Sequence, residues 1–413
     1  MVWKTWSYGA VHQGVTSLYG IGGNPPERGL VHWGNRATTV DYPPVALYEL
    51  AALGYLYRAA SPSFENTRGL TAAIKFPAFL AEIALTWLLY RLARRRGLAA
   101  ARWASIAYWA NPASILNGAV LGYIDPLMAL PGVASVASAA KGAPILAGTL
   151  LAIACLTKAQ AVFLLPVVAL AAWNSPTSRP RAAAVRGLTA AAITSLALLL
   201  PYWIVGAGPN VLQGVGSLLR HDMLSAYAAN LWWVVTYVMR ASYAVADMGA
   251  WAAWTMPMRI LGISTIVKLG YPDPRPFATA AVAVAALWAL WRARHSSDLA
   301  VLCALGAFIV HAYFVLGVAV HENHLYLALP LLACAAGVRP RLRRIHIAVS
   351  FVIALNLFLF YGLGRGLPLP PRTFTIVDAT VLLAVGNCIL FLYHAKALAA
   401  ECRAAEELAV VEV

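Results

Sequence analysis

Long apolar runs separated by short polar stretches dominate the chain after residue 74. Each run approaches the length that a helix needs to cross a bilayer, once tilt and short spans inside a bundle are allowed for. The pattern predicts an all-α fold, a polytopic transmembrane helical bundle of about 11 spans. The runs lie at 75–92, 99–116, 123–139, 143–157, 160–173, 188–206, 277–291, 299–319, 325–338, 345–363 and 375–394.

The part of the chain before residue 75 has a different pattern. Between Trp3 and Tyr19, apolar and aromatic residues recur at a loose helical spacing, and 45–57 repeats this arrangement. Such spacing is typical of helices that lie on the membrane interface. We therefore expect an outer-side loop with interfacial helices at 1–74, a transmembrane domain at 75–394 that includes an outer loop at 207–276, and a cytoplasmic tail at 395–413. The tail is weakly amphipathic, and we expect it to be solvated.

Composition excludes a soluble globular protein, because 61% of the 413 residues are hydrophobic and only 11% are charged. The net charge of +15 comes largely from arginine clusters between the runs. If the span count holds, all clusters fall on one side, which the positive-inside rule makes cytoplasmic. They lie at Arg91 and Arg94 to Arg96, at Arg179, Arg181 and Arg186, at Arg292 and Arg294, and at Arg339, Arg341, Arg343 and Arg344.

These clusters suit anionic membrane lipids as partners. No basic, aromatic-interleaved soluble domain is present in the sequence, so no nucleic-acid partner is expected. We predict an integral, multi-pass protein of a prokaryotic plasma membrane with its catalytic side outward. The five cysteines are far apart in sequence, and four of them lie inside apolar runs, so we predict that they are small core residues. The sequence predicts no cofactor and no metal.

The tetrapeptide Asp41-Tyr42-Pro43-Pro44 is the strongest candidate for chemistry. Two prolines fix φ and remove two N–H donors, so the backbone is stiff enough to hold Asp41 in one position. No basic residue adjoins Asp41 in sequence. A turn before a helix that starts near Val45 would show the same residues, so the motif alone does not decide between a structural and a catalytic role.

Two further polar residues interrupt apolar sequence on the predicted outer side. Asp125, followed by Pro126, suits a helix N-cap and suits a ligand for a sugar hydroxyl equally well. Lys158 lies between two apolar runs on the side opposite the arginines. It is a candidate phosphate partner, and the alternative is a turn lysine that reaches the interface.

The predicted outer loops carry two more groups of candidates. Arg220-His221-Asp222 precedes an aromatic stretch that ends in Trp232 and Trp233, a mixture that suits a sugar phosphate or, alternatively, a solvated loop with interfacial tryptophans. Downstream lies His321-Glu322-Asn323-His324. It lacks the i, i+4 histidine pair of a zinc helix, so hydrogen bonding to phosphate or sugar is favoured over metal binding.

In this order along the chain, these motifs resemble the polytopic glycosyltransferases of the C-type fold (GT-C). They are most similar to the dolichyl-phosphate-glucose-dependent glucosyltransferases that extend lipid-linked oligosaccharides. The matching stretches are Asp41-Tyr-Pro-Pro, Ser63-Phe-Glu-Asn-Thr-Arg68-Gly with Lys75, Asn111-Pro to Asp125, Lys158-Ala-Gln, Arg220 to Trp233, and His321-Glu322.

The resemblance implies a membrane hexosyltransferase that moves glucose or mannose, with inversion, from a polyprenyl-phosphate sugar donor to a lipid-linked glycan or similar acceptor. It implies Asp41 as a catalytic residue. It also implies Lys158, Arg220 and His321 around the donor phosphate, and Asp125, Asp222 and Glu322 on sugar hydroxyls. The alternatives are a non-catalytic GT-C relative and a lipid-sugar transporter or flippase.

The sequence departs from the family at its beginning. In the family, a first span and an acid, the usual candidate base, precede the tryptophan-containing helix, whereas here Met1 lies almost at that tryptophan. We expect either a start upstream of Met1 or a shortened relative. Asp41 matches a family position that shapes the site, so it does not simply inherit the role of that base.

Overall fold

The structure is a computed structural model that describes residues 2–20, 30–175, 179–217, 221–363 and 377–411. It is mainly helical. The helices of the first half are α1 (Val2–Gly9), α2 (Pro44–Ala60), α3 (Arg68–Ala93), α4 (Leu98–Trp109), α5 (Pro112–Ser114), α6 (Asp125–Ala140), α7 (Pro144–Thr157), α8 (Leu165–Trp173) and α9 (Pro180–Ile204). Those of the second half are α10 (Gly208–Ser217), α11 (Leu231–Met248), α12 (Ala250–Thr255), α13 (Ile263–Lys268), α14 (Pro274–Arg292), α15 (Leu299–Leu316), α16 (Ala328–Val338), α17 (Arg343–Tyr361) and α18 (Ala379–Val411).

Short irregular helices and two small sheets connect these elements. π-Helical segments at Ala10–Gly14 and Ile115–Leu121 extend α1 and α5, and 3₁₀ segments lie at Val15–Ser17, Arg94–Arg96, Ala159–Leu164 and Pro340–Leu342. β1 (Leu30–Trp33) pairs antiparallel with β2 (Arg36–Thr39). β3 (Ser225–Ala226) pairs in parallel with β4 (Val320–His321), which brings two distant loops together.

Each of the eleven predicted apolar runs is mainly helical in its described part, but the helices differ in length and apolar character. Within the described chain, five helices are long and apolar enough to cross a membrane, and three apolar helices are shorter. The run predicted at 99–116 is broken, because α4 ends at Trp109 and the side chain of Asn111 caps α5 by accepting a hydrogen bond from Ala113 N–H. The fold is therefore all-α with five candidate spans, and the count of 11 stays a prediction. The five are Arg68–Arg96, Pro180–Ile204, Leu299–Leu316, Pro340–Tyr361 and Ala379–Glu407.

The bundle is organised around α15. In its most apolar stretch 83% of residues are buried inside the protein, whereas only 6% are buried in the corresponding stretch of α9. Because α9 is also apolar but faces outward, its exposed surface is what a helix in contact with lipid requires. α9 is held through a close approach to α7, where Gly148 and Gly187 face each other.

The predicted interfacial helices are confirmed as helices, and they pack against the bundle. Trp6 of α1 and Leu47 of α2 are buried in a separate apolar cluster that also includes Tyr202, near the end of α9. Ser7 Oγ donates a hydrogen bond to the carbonyl of Leu50, which ties α1 to α2. The N-terminal segment is thus a fixed cover on one end of the bundle.

The expectation of a solvated tail beyond residue 394 is wrong for its first half. α18 continues without a break, and Leu398, Glu401 and Cys402 are buried. The carboxylate of Glu401 lies 4.0 Å from the guanidinium of Arg339, so an arginine of the clusters found in the sequence provides the charge that makes burial of this acid tolerable.

Replacing Gly148 by alanine should loosen the α7–α9 contact. A Cβ at this position would lie 1.9 Å from the carbonyl oxygen of Gly187, so the backbones must separate. We expect a loss of about 1–3 kcal/mol in stability, typical of overpacking, seen as a lower thermal unfolding midpoint in detergent. Gly386→Ala is the matched control, since nothing lies within 4 Å of a Cβ there and α18 should gain about 0.5–1 kcal/mol. Equal midpoints for the two variants would contradict the close packing.

Candidate functional site

A cavity of about 1230 Å³ opens at the end of the bundle covered by α1 and α2. Its wall is assembled from five parts of the chain: α1, the paired strands β1 and β2 with the β2–α2 connection, the N-terminal half of α3, the segment at 120–123, and the end of α17. Aromatic side chains are prominent in it. The aromatic lining residues are Trp3, Trp6, Tyr42, Tyr123, Phe360 and Tyr361.

Among the described residues that line this cavity, Asp41 is the only acid. It is half-buried, and burial raises its pKa above the ordinary value of an aspartate, while nearby His221 partly offsets the increase. Its position agrees with the sequence pattern: Pro43 is extended and Pro44 begins α2, so the chain enters the helix in a fixed direction. Asp41 is therefore an accessible carboxylate with a rigid backbone and an increased affinity for a proton.

The ring of Tyr42 holds this segment against α1. Its centroid lies 4.8 Å from that of Trp3, edge to face, and 5.6 Å from that of Trp6. The carbonyl of Tyr42 accepts a hydrogen bond from the hydroxyl of Tyr19. On the other side, the ammonium group of Lys158 lies 6.0 Å from the Tyr42 ring. Tyr42 thus connects the cavity wall to a buried charge beneath it.

That buried charge is an ion pair between Lys158 and Asp125. Lys158 Nζ donates to Asp125 Oδ1, and both side chains are almost fully buried, at 2% and 1% exposure. Asn323 Nδ2 donates to the second carboxylate oxygen at 2.9 Å. The ring of Tyr123 is 6.0 Å from the ammonium group, so aromatic faces lie on two sides of the cation. The pair is well satisfied, and neither partner is among the residues that line the cavity.

Glu322 forms a second buried acid next to this pair. The hydroxyl of Tyr123 donates to Glu322 Oε1 at 2.5 Å, and the side chain is only 4% exposed. Burial raises the pKa of Glu322, whereas hydrogen bonds, including that from Tyr123, and nearby Lys158 act in the opposite direction. Since Tyr123 lines the cavity, a change at Glu322 would reach a bound molecule through this hydroxyl.

Three histidines lie along one side of the cluster. His321 Nε2 is 3.4 Å from His221 Nδ1, and the hydroxyl of Tyr313 and His324 Nδ1 are 2.9 Å apart. Burial first, and then His221 and Lys158, lower the pKa of His321 to about 4. His321 is therefore neutral near pH 7 and suits hydrogen bonding, not charge pairing with a phosphate.

The loops that carry these histidines are fixed to each other. The β3–β4 pairing joins Ala226 to His321, and Asn356 of α17 donates to the carbonyls of Tyr227 and Glu322 at 3.2 Å each. Tyr227 has a φ of +61°, which a tyrosine adopts only where its surroundings require it. This strained backbone fits a loop held from both sides.

The sequence-predicted residues thus separate into three groups. Asp41 lines the cavity, and His321 and Glu322 lie with the Lys158–Asp125 pair beneath or beside it. Arg220 lies outside the described residues. Asp222 is exposed and accepts hydrogen bonds from the backbone and side chain of Ser264, so it fixes the start of α13. For Asp125, the residue that begins α6, the structure supplies a third role as the partner of Lys158.

Sequence reasoning did not single out Tyr123, Asn323 and Lys75 by their chemistry. Lys75 Nζ donates to the carbonyls of Ala119 and Val120 at 2.8 Å each, where the π-helical segment ends. These are carbonyls that a regular helix would have used internally, and π-helical turns are frequent at functional sites. Lys75 and Ala119 are 44 positions apart, so no local pattern in the sequence indicates this contact.

The acids and histidines of the spans do not form a continuous path in the described structure. Ser114 Oγ donates to Glu82, His311 lies 3.1 Å from His394 and 2.9 Å from Asn387, and Asp378 caps α18 through Thr380 N–H. These are three separate groups, and in the second the buried Nε2 of His394 has no hydrogen-bond partner among the described residues.

No protein-family model and no curated protein matches the chain, so the family resemblance stays a prediction.

Removing one partner of the buried pair should reduce the stability of the protein far more than removing one partner of a surface pair. Lys158→Met leaves Asp125 without its cation, and we expect a loss of about 3–5 kcal/mol. The double variant Lys158→Met/Asp125→Leu should recover part of this loss. The readout is the thermal unfolding midpoint in detergent.

Arg275→Met is the control for this experiment, because its partner Asp273 lies 3.0 Å away in a pair whose side chains are 36% and 41% exposed. We expect a loss of about 0–1 kcal/mol there. Equal losses at Lys158 and Arg275, or additive losses in the Lys158/Asp125 double variant, would show that the buried pair does not act as a unit.

Proposed function

We propose that this protein is a membrane glycosyltransferase that moves a hexose, glucose or mannose, from a polyprenyl-phosphate donor to a lipid-linked glycan or similar acceptor. The observation that carries the proposal is the position of Asp41. It is the only acid among the described lining residues of the large cavity, and burial raises its pKa. A general base works best when its pKa approaches the working pH, and burial moves Asp41 in that direction.

The size and lining of the cavity support a sugar substrate. At about 1230 Å³ it exceeds the usual range of pockets for drug-sized ligands, so it has room for a hexose together with the end of an acceptor. Tyr42, Tyr123 and Tyr361 supply ring faces for sugar C–H surfaces and hydroxyls for sugar oxygens. An aromatic wall with one acid is a common composition for carbohydrate sites, and less typical of sites for small ions.

In the proposed reaction the acceptor hydroxyl gives its proton to the Asp41 carboxylate. The hydroxyl oxygen forms a bond to the anomeric carbon from the face opposite the phosphate. The bond between that carbon and the phosphate oxygen breaks, and its electron pair leaves with the polyprenyl phosphate. The configuration inverts, and the sum is one glycosidic bond made, one sugar–phosphate bond broken and one proton released.

The donor phosphate needs positive charge or N–H donors near the leaving oxygen. Two lysines belong to the described cavity wall. Lys75 lies beside the π-helical segment at 115–121, and Lys4 donates hydrogen bonds to Asn66 and Thr71. Arg220 and His321 remain sequence-based candidates for the same phosphate. The buried Lys158–Asp125 pair serves a different purpose in this scheme, since it positions Tyr42 and Tyr123 from below.

Asp41→Asn should abolish transfer without abolishing donor binding. The amide keeps the size of the side chain but accepts no proton, so kcat should fall by roughly 10²–10⁴-fold. The assay uses purified full-length protein, radiolabelled polyprenyl-phosphate glucose or mannose, and a lipid-linked acceptor extract. Asp247→Asn is the matched control, an exposed acid on α11 outside the cavity. An Asp41→Asn variant as fast as the wild type would refute the base assignment, and donor binding without transfer by the wild type would favour a transporter or non-catalytic relative.

The pH dependence of transfer should report the environment of Asp41. The base must be ionised, so kcat/KM should fall as pH decreases through its pKa. Because burial raises that pKa, the fall should occur at a higher pH than for an ordinary aspartate. The measurement is kcat/KM over roughly pH 4–9. This limb should persist in His321→Gln, and a limb that disappears in that variant would assign the titration to the imidazole.

A further inference from the structure

A second cavity, of about 760 Å³, lies at the opposite end of the bundle. The two cavities lie toward opposite ends of α3: Lys75 in this helix lines the first, and Arg95, two residues after its end, lines the second. Twenty residues separate these positions, which is about 30 Å along a helix and close to the thickness of a bilayer core. The second cavity therefore lies at the depth of the opposite headgroup layer if the bundle spans the membrane.

Cations from separate elements converge on this second cavity. Arg95 and Arg96 follow α3, Lys141 follows α6, Arg292 ends α14, and Arg339 follows α16. Against these five positive charges, the described lining carries two acids, Asp298 and Glu406. Members of three arginine clusters that are remote in sequence thus share one space.

The acid at the centre of this lining is already fully used. Asp298 accepts from Arg339 Nη2 at 2.6 Å, lies 3.6 Å from Arg96 Nη2, and caps α15 through Ala300 N–H at 2.7 Å. Within the described chain, no carboxylate lies within 4.0 Å of the charged groups of Arg95, Lys141 or Arg292. The cavity therefore contains three cations in excess of its ion pairs.

One of these cations also has an unmet hydrogen-bond requirement. Arg292 Nε is buried and has no hydrogen-bond partner among the described residues, while Nη2 reaches only the carbonyl of Ala399 at 3.4 Å. A buried donor without a partner is energetically unfavourable. Burial, and then the neighbouring charge of Arg95, lower the pKa of Lys141, which is the expected effect of crowding cations. An anion with several acceptor oxygens would relieve both conditions.

The surroundings indicate the depth of the site. Trp291 is 54% exposed and carries Arg292 and Arg294 near its ring, at 5.7 and 4.8 Å from the centroid. Exposed tryptophans with adjacent arginines are typical of the membrane–water interface. The hydroxyls of Ser296 and Ser297 line the same space and add neutral donors.

We propose that this second cavity binds a phosphate group, carried by an anionic lipid headgroup or present as free phosphate, between Arg95, Lys141 and Arg292. Guanidinium groups match phosphate oxygens in pairs, and a lysine adds a point charge. The site is separate from the proposed transfer reaction, and its occupancy connects the ends of α3, α6 and α14 through one anion. The bound phosphate should therefore stabilise the bundle.

The test compares thermal unfolding midpoints of delipidated full-length protein titrated with three probes: phosphatidylglycerol in mixed micelles, phosphatidylcholine in the same micelles, and inorganic phosphate. The variant is Arg95→Gln/Lys141→Gln, since both side chains are exposed and their loss should not impair folding. The control is Arg181→Gln/Arg186→Gln, which removes the same charge from exposed positions of α9 outside the cavity. Arg292→Gln provides an independent variant.

We expect phosphatidylglycerol, but not phosphatidylcholine, to raise the midpoint of the wild type and the control. The cavity variant should bind phosphatidylglycerol about thirtyfold more weakly, from the loss of two cations that face an anionic group. An equal midpoint increase with inorganic phosphate would identify free phosphate as the source, and an increase with the lipid alone would identify the headgroup. Equal responses of the cavity and control variants, or no response of the wild type to either anion, would overturn the proposal.

Discussion

The ion pair between Lys158 and Asp125 is the interaction on which the architecture of the site depends. In sequence the two residues are separated by all of α6 and α7, and Asn323 joins them from a third region beyond α15. In an almost dry environment either charge alone would be very costly, so the three segments must meet in one geometry or not at all. The aromatic faces of Tyr42 and Tyr123 complete the surroundings of the cation and extend the arrangement upward to the cavity. A buried pair of this kind is weak evidence for stability and better evidence for the positioning of its neighbours.

The cavity above the pair is consequently a property of the whole bundle and not of one motif. Its wall runs from Trp3 near the beginning of the chain to Tyr361 at the end of α17. Rigid features hold each contribution: two prolines after Tyr42, a π-helical segment before Tyr123, and the Asn356 hydrogen bonds between the loops of Tyr227 and Glu322. Gly118 shows how tight this region is, because a Cβ there would lie 2.3 Å from the carboxylate of Glu82. Flexible loops would not keep an acid and several rings in register around a sugar.

The sequence predicted the helices well and the polar contacts poorly, for a physical reason. An apolar run indicates a segment that is buried away from water, and each of the eleven runs is mainly helical in its described part. Only five described helices have the length and apolar character of full spans. The two prolines also located Asp41 correctly at the start of α2. Nothing local in the sequence indicates which partner an acid will meet, however. Asp125 meets Lys158, Asp222 meets Ser264, and Glu401 meets Arg339, each over more than thirty positions. The wrong prediction of a solvated C-terminal tail has the same origin. A weakly amphipathic helix is predicted to be solvated unless the partner of its buried acid is known.

The two ends of the bundle handle charge in opposite ways, and this difference bears on the proposed reaction. At the arginine-rich end, cations exceed their partners, whereas at the site end Lys158 is neutralised by Asp125 and Lys75 is engaged by two carbonyls. The described wall of the site is therefore only modestly positive, and its acid is already inclined to hold a proton. A donor phosphate in this space would add a negative charge near Asp41 and raise its pKa further. In the proposed mechanism Asp41 becomes a stronger base only when the donor is bound, so activation of the acceptor hydroxyl follows occupancy of the donor site. The weak positive charge of the cavity is then part of the mechanism. A set of cations that fully neutralised the donor phosphate would prevent it from raising the pKa of Asp41.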